Sequence, residues 1–234
     1  MHRFFAIGSL SNPTLSDDDM HHARRVLRFA IGERFECVIQ DHVYEATMTS
    51  LEPFVFTIGT MRDDHRELPF HLTLIYGVPK GDKWTWVMQK AVELGVHELI
   101  GFHSQYSVVH WTNDDVLRKQ ARYQAIIKEA TMQSKRTIFM QATRYLAFKD
   151  VLTLPFDYCY IASEHDRDVQ PMIKSFPKAS RVAVIVGSEG GFSVEEVDLA
   201  KQKGWQPLGL GPRILRTETA AIVALARLCL GATL

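Results

Sequence analysis

Val182-Ala-Val-Ile-Val186 runs without a break into Gly187-Ser-Glu-Gly-Gly-Phe-Ser193, and a helical pattern opens at Val194. Five consecutive apolar residues, three of them β-branched valines, read as a strand buried on both faces, the kind found in parallel sheets covered by helices. A glycine-rich turn directly after such a strand stands where open α/β sheets collect ligands, because glycines let backbone N–H groups come close to a bound molecule. The same turn also reads as a plain strand-to-helix connection, with Ser193 as N-cap and Glu196 at the capping-box position. It lacks the Gly-Lys-Ser/Thr of a P-loop and the Gly-x-Gly-x-x-Gly spacing of dinucleotide folds, so phosphate cradling is the weaker reading.

Working outward, strands alternate with amphipathic helices from Phe70 to the C-terminus, the pattern of an α/β domain with a mainly parallel sheet. Strands are predicted at 70–76, 98–102, 158–162, 182–186 and 207–210, and helices at 83–94, 113–133, 194–202 and 217–230. A second glycine-bearing turn, Gly209-Leu-Gly-Pro-Arg-Ile-Leu-Arg216, follows the last strand. It carries Arg213 and Arg216, which a generic connection does not need, while Thr217 or Glu218 can cap the next helix. Before Phe70 the reading changes. Ser16 followed by three aspartates starts a helix expected over about 17–29, and runs at 35–39, 43–49 and 54–58 predict the strands of a small β-barrel. Residues 61–69, polar and ending in proline, read as a linker between domains 1–68 and 69–234.

The chain has 234 residues, 46% of them hydrophobic, enough for a large domain or two small ones. Its 27 basic and 27 acidic side chains cancel, and a zero net charge by itself offers no case for a nucleic-acid partner. That zero is an average. The first seventy residues carry seven basic and eleven acidic side chains, a net −4, so the remainder carries +4. Within the remainder, Arg118, Lys119, Arg122, Lys128, Lys135 and Arg136 form a basic stretch able to follow an anionic backbone, or else a solvated helix face. Three cysteines fit neither a disulfide framework nor a zinc site, and adjacent His21 and His22 point to different helix faces, so no metal is expected. With neither a signal-peptide pattern at Met1-His2-Arg3-Phe4-Phe5 nor an apolar stretch near twenty residues, a cytoplasmic protein with no membrane partner is expected.

Leu210-Gly-Pro-Arg-Ile-Leu-Arg-Thr-Glu-Thr-Ala220, together with Val186-Gly-Ser-Glu-Gly-Gly191, resembles the signature of the RsmE family of 16S ribosomal RNA uridine N3-methyltransferases, within the knotted SPOUT superfamily. Gly81-Asp82-Lys83 with Lys90-Ala-Val-Glu-Leu-Gly-Val96, and His22-Ala-Arg-Arg-Val-Leu-Arg28, are similar to further family motifs, so the likeness runs in order from residue 22 to 221. The resemblance implies an N-terminal PUA-like β-barrel and a C-terminal SPOUT α/β domain with a deep trefoil knot around S-adenosyl-L-methionine. It implies a homodimer acting on 16S rRNA in the assembled 30S subunit, with the C-terminal helix packed against the partner. Cofactor contacts then map to Ala162, Ser163, Glu164, Gly187, Ser188, Glu189, Gly190, Leu210, Gly211, Ile214, Leu215 and Thr217. Arg216 is the first candidate to stabilise the uracil anion, Arg136 the second, and Glu218 the candidate proton acceptor or, equally, a helix-capping carboxylate. RNA contacts are expected from Arg24, Arg25, Arg28, Lys83, Arg118, Lys119, Arg122, Lys135, Arg136 and Arg213. Other readings are a SPOUT methyltransferase acting on a different RNA and a non-catalytic ribosome-assembly protein. Three positions depart from the family pattern: Ser188 and Met140 stand where prolines are usual, and Met132-Gln-Ser-Lys-Arg136 stands where Glu-Gln-Ser-Gly-Arg is common.

Overall fold

The computed structural model describes every residue except 167, 170, 172–174 and 232–234, and it forms two compact units. The first comprises residues 1–67 and 131–138, the second 68–130 and 139–234.

In the first unit, β1 (Arg3–Phe5) is followed by a hairpin of β2 (Ile7–Ser9) and β3 (Asn12–Thr14), then helix α1 (Asp17–His21). Next come β4 (Arg34–Ile39), β5 (His42–Ser50) and β6 (Val55–Arg62), in a sheet ordered β1-β4-β5-β6 with β1 parallel to β4 and the other pairs antiparallel. Phe4, Phe29, Phe35 and Phe56 are buried in its core. Ser16 caps α1 as expected, its hydroxyl accepting from the Asp19 amide at 3.3 Å. The helix predicted over 17–29 is corrected: α-geometry ends at His21, a π-helical stretch fills His22–Val26, and Arg28 is left-handed at φ 53°. Packing accounts for the change, since the Phe29 ring lies edge-on to Phe4 and tilted against Phe35, with centroids 5.9 and 5.5 Å apart, and the backbone must turn to deliver it. The linker reading of 61–69 is corrected too. β6 runs on to Arg62, and Asp64 and Glu67 accept hydrogen bonds from Arg3 and Arg136.

The second unit alternates β7 (His71–Gly77), α2 (Lys83–Glu93), β8 (Glu98–His103), α3 (Asn113–Ser134, whose last turn counts with the first unit), β9 (Gln141–Ala147), α4 (Phe148–Val151), β10 (Tyr158–Ala162), β11 (Arg181–Val186), α5 (Val194–Gln202), β12 (Gln206–Pro207) and α6 (Thr217–Gly231). Its six strands, ordered β12-β10-β11-β7-β8-β9, are all parallel. β11 shows why. Val182, Val184 and Val186 face α2, α3 and α6, while Ala183 and Ile185 face α4 and α5. A fully buried Val or Ile contributes roughly 1.5–3 kcal/mol, so a strand apolar on both faces is stable only between two helical layers. β9 and α4 lack a strong enough apolar period to be read from sequence. The strand predicted at 207–210 shrinks to β12 because Leu208 N–H still reaches Ile161 O, whereas Gly209 N–H turns away to Val169 O.

Parallel alignment brings the C-terminal ends of β7, β10 and β11 to one edge of the sheet, and the connections that follow them meet there.

Candidate functional site

At that edge lies a cavity of about 460 Å³, within the range that seats small organic ligands. Ala162, Ser163 and Glu164 approach it from β10, Gly187, Ser188 and Glu189 from β11, and Leu210, Gly211, Ile214, Leu215, Arg216 and Thr217 from the turn before α6. Two anchors hold these turns. Ser193 and Glu196 form the full capping box of α5, with N–H to oxygen distances of 3.2 and 3.0 Å. Thr217, the buried first residue of α6, donates its hydroxyl to the Gly187 carbonyl and ties the third turn to the glycine turn.

The glycine turn differs in one detail from the sequence reading. Gly191, not Gly190, lines the cavity. Gly191 is left-handed at φ 66°, and a Cβ there would stand 2.5 Å from the Glu164 carboxylate. Gly190 instead backs onto the β8–α3 connection, where a Cβ would fall 2.4 Å from the Tyr106 carbonyl oxygen. Its requirement for glycine is therefore steric support of the turn, and the residue expected to touch the cofactor stands behind the cavity wall. Val186, Phe192 and Ala220 also line the cavity and were missed, because plain apolar residues carry no chemical signal in a sequence.

Charged groups are set against one another here. Lys83, at the start of α2 and an expected RNA contact, lines the cavity with Nζ 3.2 Å from Glu189 and 3.3 Å from Glu218. Hydrogen bonding to Glu189, with Glu218 close by, raises the Lys83 pKa. Burial pushes the Glu189 carboxyl up, but bonds from its own backbone, Lys83 and the Lys80 amide outweigh this and hold it below the usual range. Glu218 sits in the first turn of α6, where a carboxylate also opposes the helix dipole. Its buried Oε2 is the oxygen that pairs with Lys83. Arg213 and Arg216 are exposed and line the same cavity, with Ile214 79% exposed between them.

Arg136 belongs to a different setting. It is 2% exposed in the first unit, with Nη2 and Nε 2.8 and 3.0 Å from Glu67 Oε2. A guanidinium so enclosed holds structure together, and this corrects both its catalytic and its RNA-binding assignments. Met132, where the family has glutamate, packs against the apolar core of the first unit, and Glu67 supplies the carboxylate that Arg136 needs. Burial raises the Glu67 pKa, but Arg136 and the Thr137 and Ile138 amides overcome it and keep the carboxyl below the usual range. Glu67→Gln is therefore expected to lower stability by about 3 kcal/mol at pH 7, since it strands a buried charge. A depressed carboxyl pKa stabilises the fold above the ordinary carboxylate range, and that contribution is lost as pH falls through the folded-state value. Urea unfolding followed by circular dichroism should thus show a gap between the wild type and Glu67→Gln that narrows below about pH 4; an equal gap at pH 7 and pH 3 would refute the ion-pair account.

The other expected RNA contacts are spread over both units. Arg25 and Arg28 are exposed, whereas Arg24 donates to the Leu51 carbonyl and lies over Phe54. Lys135 is largely withdrawn, pairing with Glu36 at 3.3 Å and donating to the Met1 carbonyl. On α3, Arg118 pairs with Asp115, Arg122 approaches Asp82, and Lys119 sits 3.7 Å over the Trp111 ring, so the basic stretch carries less free charge than its composition indicates. Among the described residues no three His, Cys, Asp or Glu side chains converge as a metal site, and no helix is long and apolar enough to cross a membrane.

Comparison with known proteins agrees with this arrangement. Residues 66–229 match the family model for an RNA methyltransferase domain, and residues 15–55 match that for an RNA methyltransferase PUA domain. The ribosomal RNA small subunit methyltransferase E of Bacillus subtilis is 32% identical over 223 residues, covering 91% of this chain and 87% of its own. Its counterpart in Mesomycoplasma hyopneumoniae is 28% identical over 97% of this chain and 98% of its own. The crystal structure of the same enzyme from Neisseria gonorrhoeae, bound to S-adenosyl methionine, superposes with a TM-score of 0.83 at 28% identity, over 97% of this chain and 95% of that one. A parallel α/β unit with three turns meeting at one cavity, in a chain matched over nearly its whole length by these enzymes, identifies the protein as a member of the RsmE family of ribosomal RNA small subunit methyltransferases.

Proposed function

We propose that this protein methylates N3 of a uridine in 16S rRNA of the small ribosomal subunit, using S-adenosyl-L-methionine. The observation that carries the reading is the cavity in which Arg216 and the Lys83–Glu218 pair face turns able to hold that cofactor. The cavity suits it in size, in the glycine that leaves space beside the Glu164 carboxylate, and in its mixture of carboxylates, backbone groups and apolar walls. Ala162, Ser163, Glu164, Gly187, Ser188, Glu189, Leu210, Gly211, Ile214, Leu215 and Thr217 would hold it. When bound, it supplies an electrophilic methyl carbon.

The rest of the task falls to side chains. Uridine N3 carries a proton at neutral pH, so the site must favour its loss. Arg216 stabilises the negative charge that spreads onto the uracil carbonyl oxygens, and Glu218 takes the proton. Lys83 neutralises Glu189 and Glu218 while the site is empty of RNA. Because N3 is covered in a base pair, the target is unpaired or turned out of its helix, and assembled subunits present it better than naked RNA.

The same reading gives the first domain, residues 1–68, as a PUA-like barrel offering Arg25 and Arg28 to RNA, and residues 69–234 as a cytoplasmic homodimer's SPOUT domain, threaded in a deep trefoil knot. Arg118, Lys119, Arg122 and Arg213 follow the RNA backbone. The test is transfer of labelled methyl groups to purified small subunits. Incorporation into 16S rRNA, greater with subunits than with naked RNA, is expected; transfer to tRNA alone would contradict the substrate.

A further inference from the structure

A second cavity, of about 500 Å³, opens beside the glycine turn at the same end of the sheet. His103 closes β8 at its edge, His110 comes from the β8–α3 connection, Lys149 from the start of α4, and Ser193 and Glu195 from the start of α5. The two imidazoles lie 5.0 Å apart at 59°, and His103 Nδ1 is buried with no hydrogen-bond partner. Burial, with His110 nearby, lowers the His103 pKa and so favours its neutral ring.

The connection that carries His110 is fastened to the turn that walls the first cavity. Ser104 donates to the Gly191 carbonyl at 3.1 Å, its hydroxyl and that of Ser107 lie 3.1 Å apart, and the Ser107 and Ser188 hydroxyls lie 3.3 Å apart. The Gln105 amide adds a bond to Glu196 at 2.8 Å. Ser188 stands where the family usually has proline, and its buried hydroxyl joins this serine chain. Beyond the clamp, Tyr106 and Val108 are 51% and 66% exposed, and His110 is exposed as well.

An exposed imidazole, an exposed ammonium and an exposed carboxylate, from His110, Lys149 and Glu195, are groups that recognise a nucleotide of single-stranded RNA: a ring face for stacking, a carboxylate for the base edge, a cation for the phosphate. We propose that this second cavity is a subsite for an RNA nucleotide flanking the one that is methylated, its base stacked on His110 and its phosphate held by Lys149. The inference rests on the function proposed above. The serine chain then fixes the distance between flanking base and methyl donor, because one turn forms a wall of both cavities.

The test uses the full chain and 16S rRNA, with RNA affinity read by filter binding, cofactor affinity by calorimetry and methyl transfer from the same preparations. His110→Ala and Lys149→Ala should each weaken RNA binding about tenfold, the size of one lost stacking or phosphate contact. Cofactor affinity should stay within twofold, Lys149→Arg should restore binding, and Lys203→Glu, at the far end of α5, should leave it unchanged. RNA affinity within twofold of wild type for both alanine variants would overturn the subsite, as would an equal loss in Lys203→Glu, which would mark a general charge effect. Absence of methyl transfer by the wild type refutes the proposed activity instead, and the binding comparison still decides the subsite.

Discussion

Gly191→Val should reduce the affinity for S-adenosyl-L-methionine at least about 100-fold, or roughly 2.7 kcal/mol, in a protein that still folds. Two effects add. At φ 66° a non-glycine residue is held in left-handed geometry, which costs about 1–2 kcal/mol. Its Cβ also meets the Glu164 carboxylate at 2.5 Å, so either Glu164 leaves the cavity wall or the turn moves. The valine methyls then occupy space on the cavity side. Calorimetric titration with far-ultraviolet circular dichroism as a folding control checks this, and near wild-type affinity would remove the cavity from the account. A bulky residue at Gly190 makes an instructive comparison. It strikes the Tyr106 backbone, so its damage should appear as lost stability together with lost binding.

Arg216→Ala should lower kcat by about 10²–10³ at saturating cofactor while cofactor affinity stays within a few-fold. That size is typical of removing one group aimed at charge that develops only in the transition state. Arg216 and Arg213 both line the cavity, but only Arg216 directly precedes α6, whose first turn carries Glu218. Arg213→Ala should therefore act mainly on the KM for RNA. Methyl-transfer assays on small subunits separate the two, and an Arg216→Ala enzyme with normal kcat would eliminate the arginine as the anion-stabilising group.

The parallel unit was largely legible in advance, and for local reasons. β11 alternates its side chains between two helical layers, and Ser193 and Glu196 cap the following helix through bonds three residues apart. What could not be read depends on partners far along the chain. Arg136 looks like a free cation beside Lys135 until Glu67, 69 residues away, is found enclosing it. Nothing near Lys83 in the sequence shows that Glu189 and Glu218 converge on it from two other turns. In the first unit, α1 carries its N-cap in sequence, but its early end is set by where Phe29 must go to meet Phe4 and Phe35. Gly190 and Gly191 are adjacent and chemically identical, and only φ and the neighbouring atoms show which of them lines the cavity.

The balanced charge of the chain acquires a physical meaning at this level. Many basic side chains outside the cavity are already paired: Arg3 with Glu36 and Asp64, Arg118 with Asp115, Arg144 with Glu98. The zero sum therefore says little about which cations stay exposed, among them Arg25, Arg28, Arg213 and Arg216.

The most direct test of the central claim is nucleoside mass spectrometry of 16S rRNA from small subunits incubated with the purified protein and S-adenosyl-L-methionine. The account predicts one 3-methyluridine per 16S rRNA, formed by the wild type and formed about 10²–10³ times more slowly with Arg216→Ala. Methylation on a ribose or another base, or no transfer to subunits lacking the modification, would contradict it.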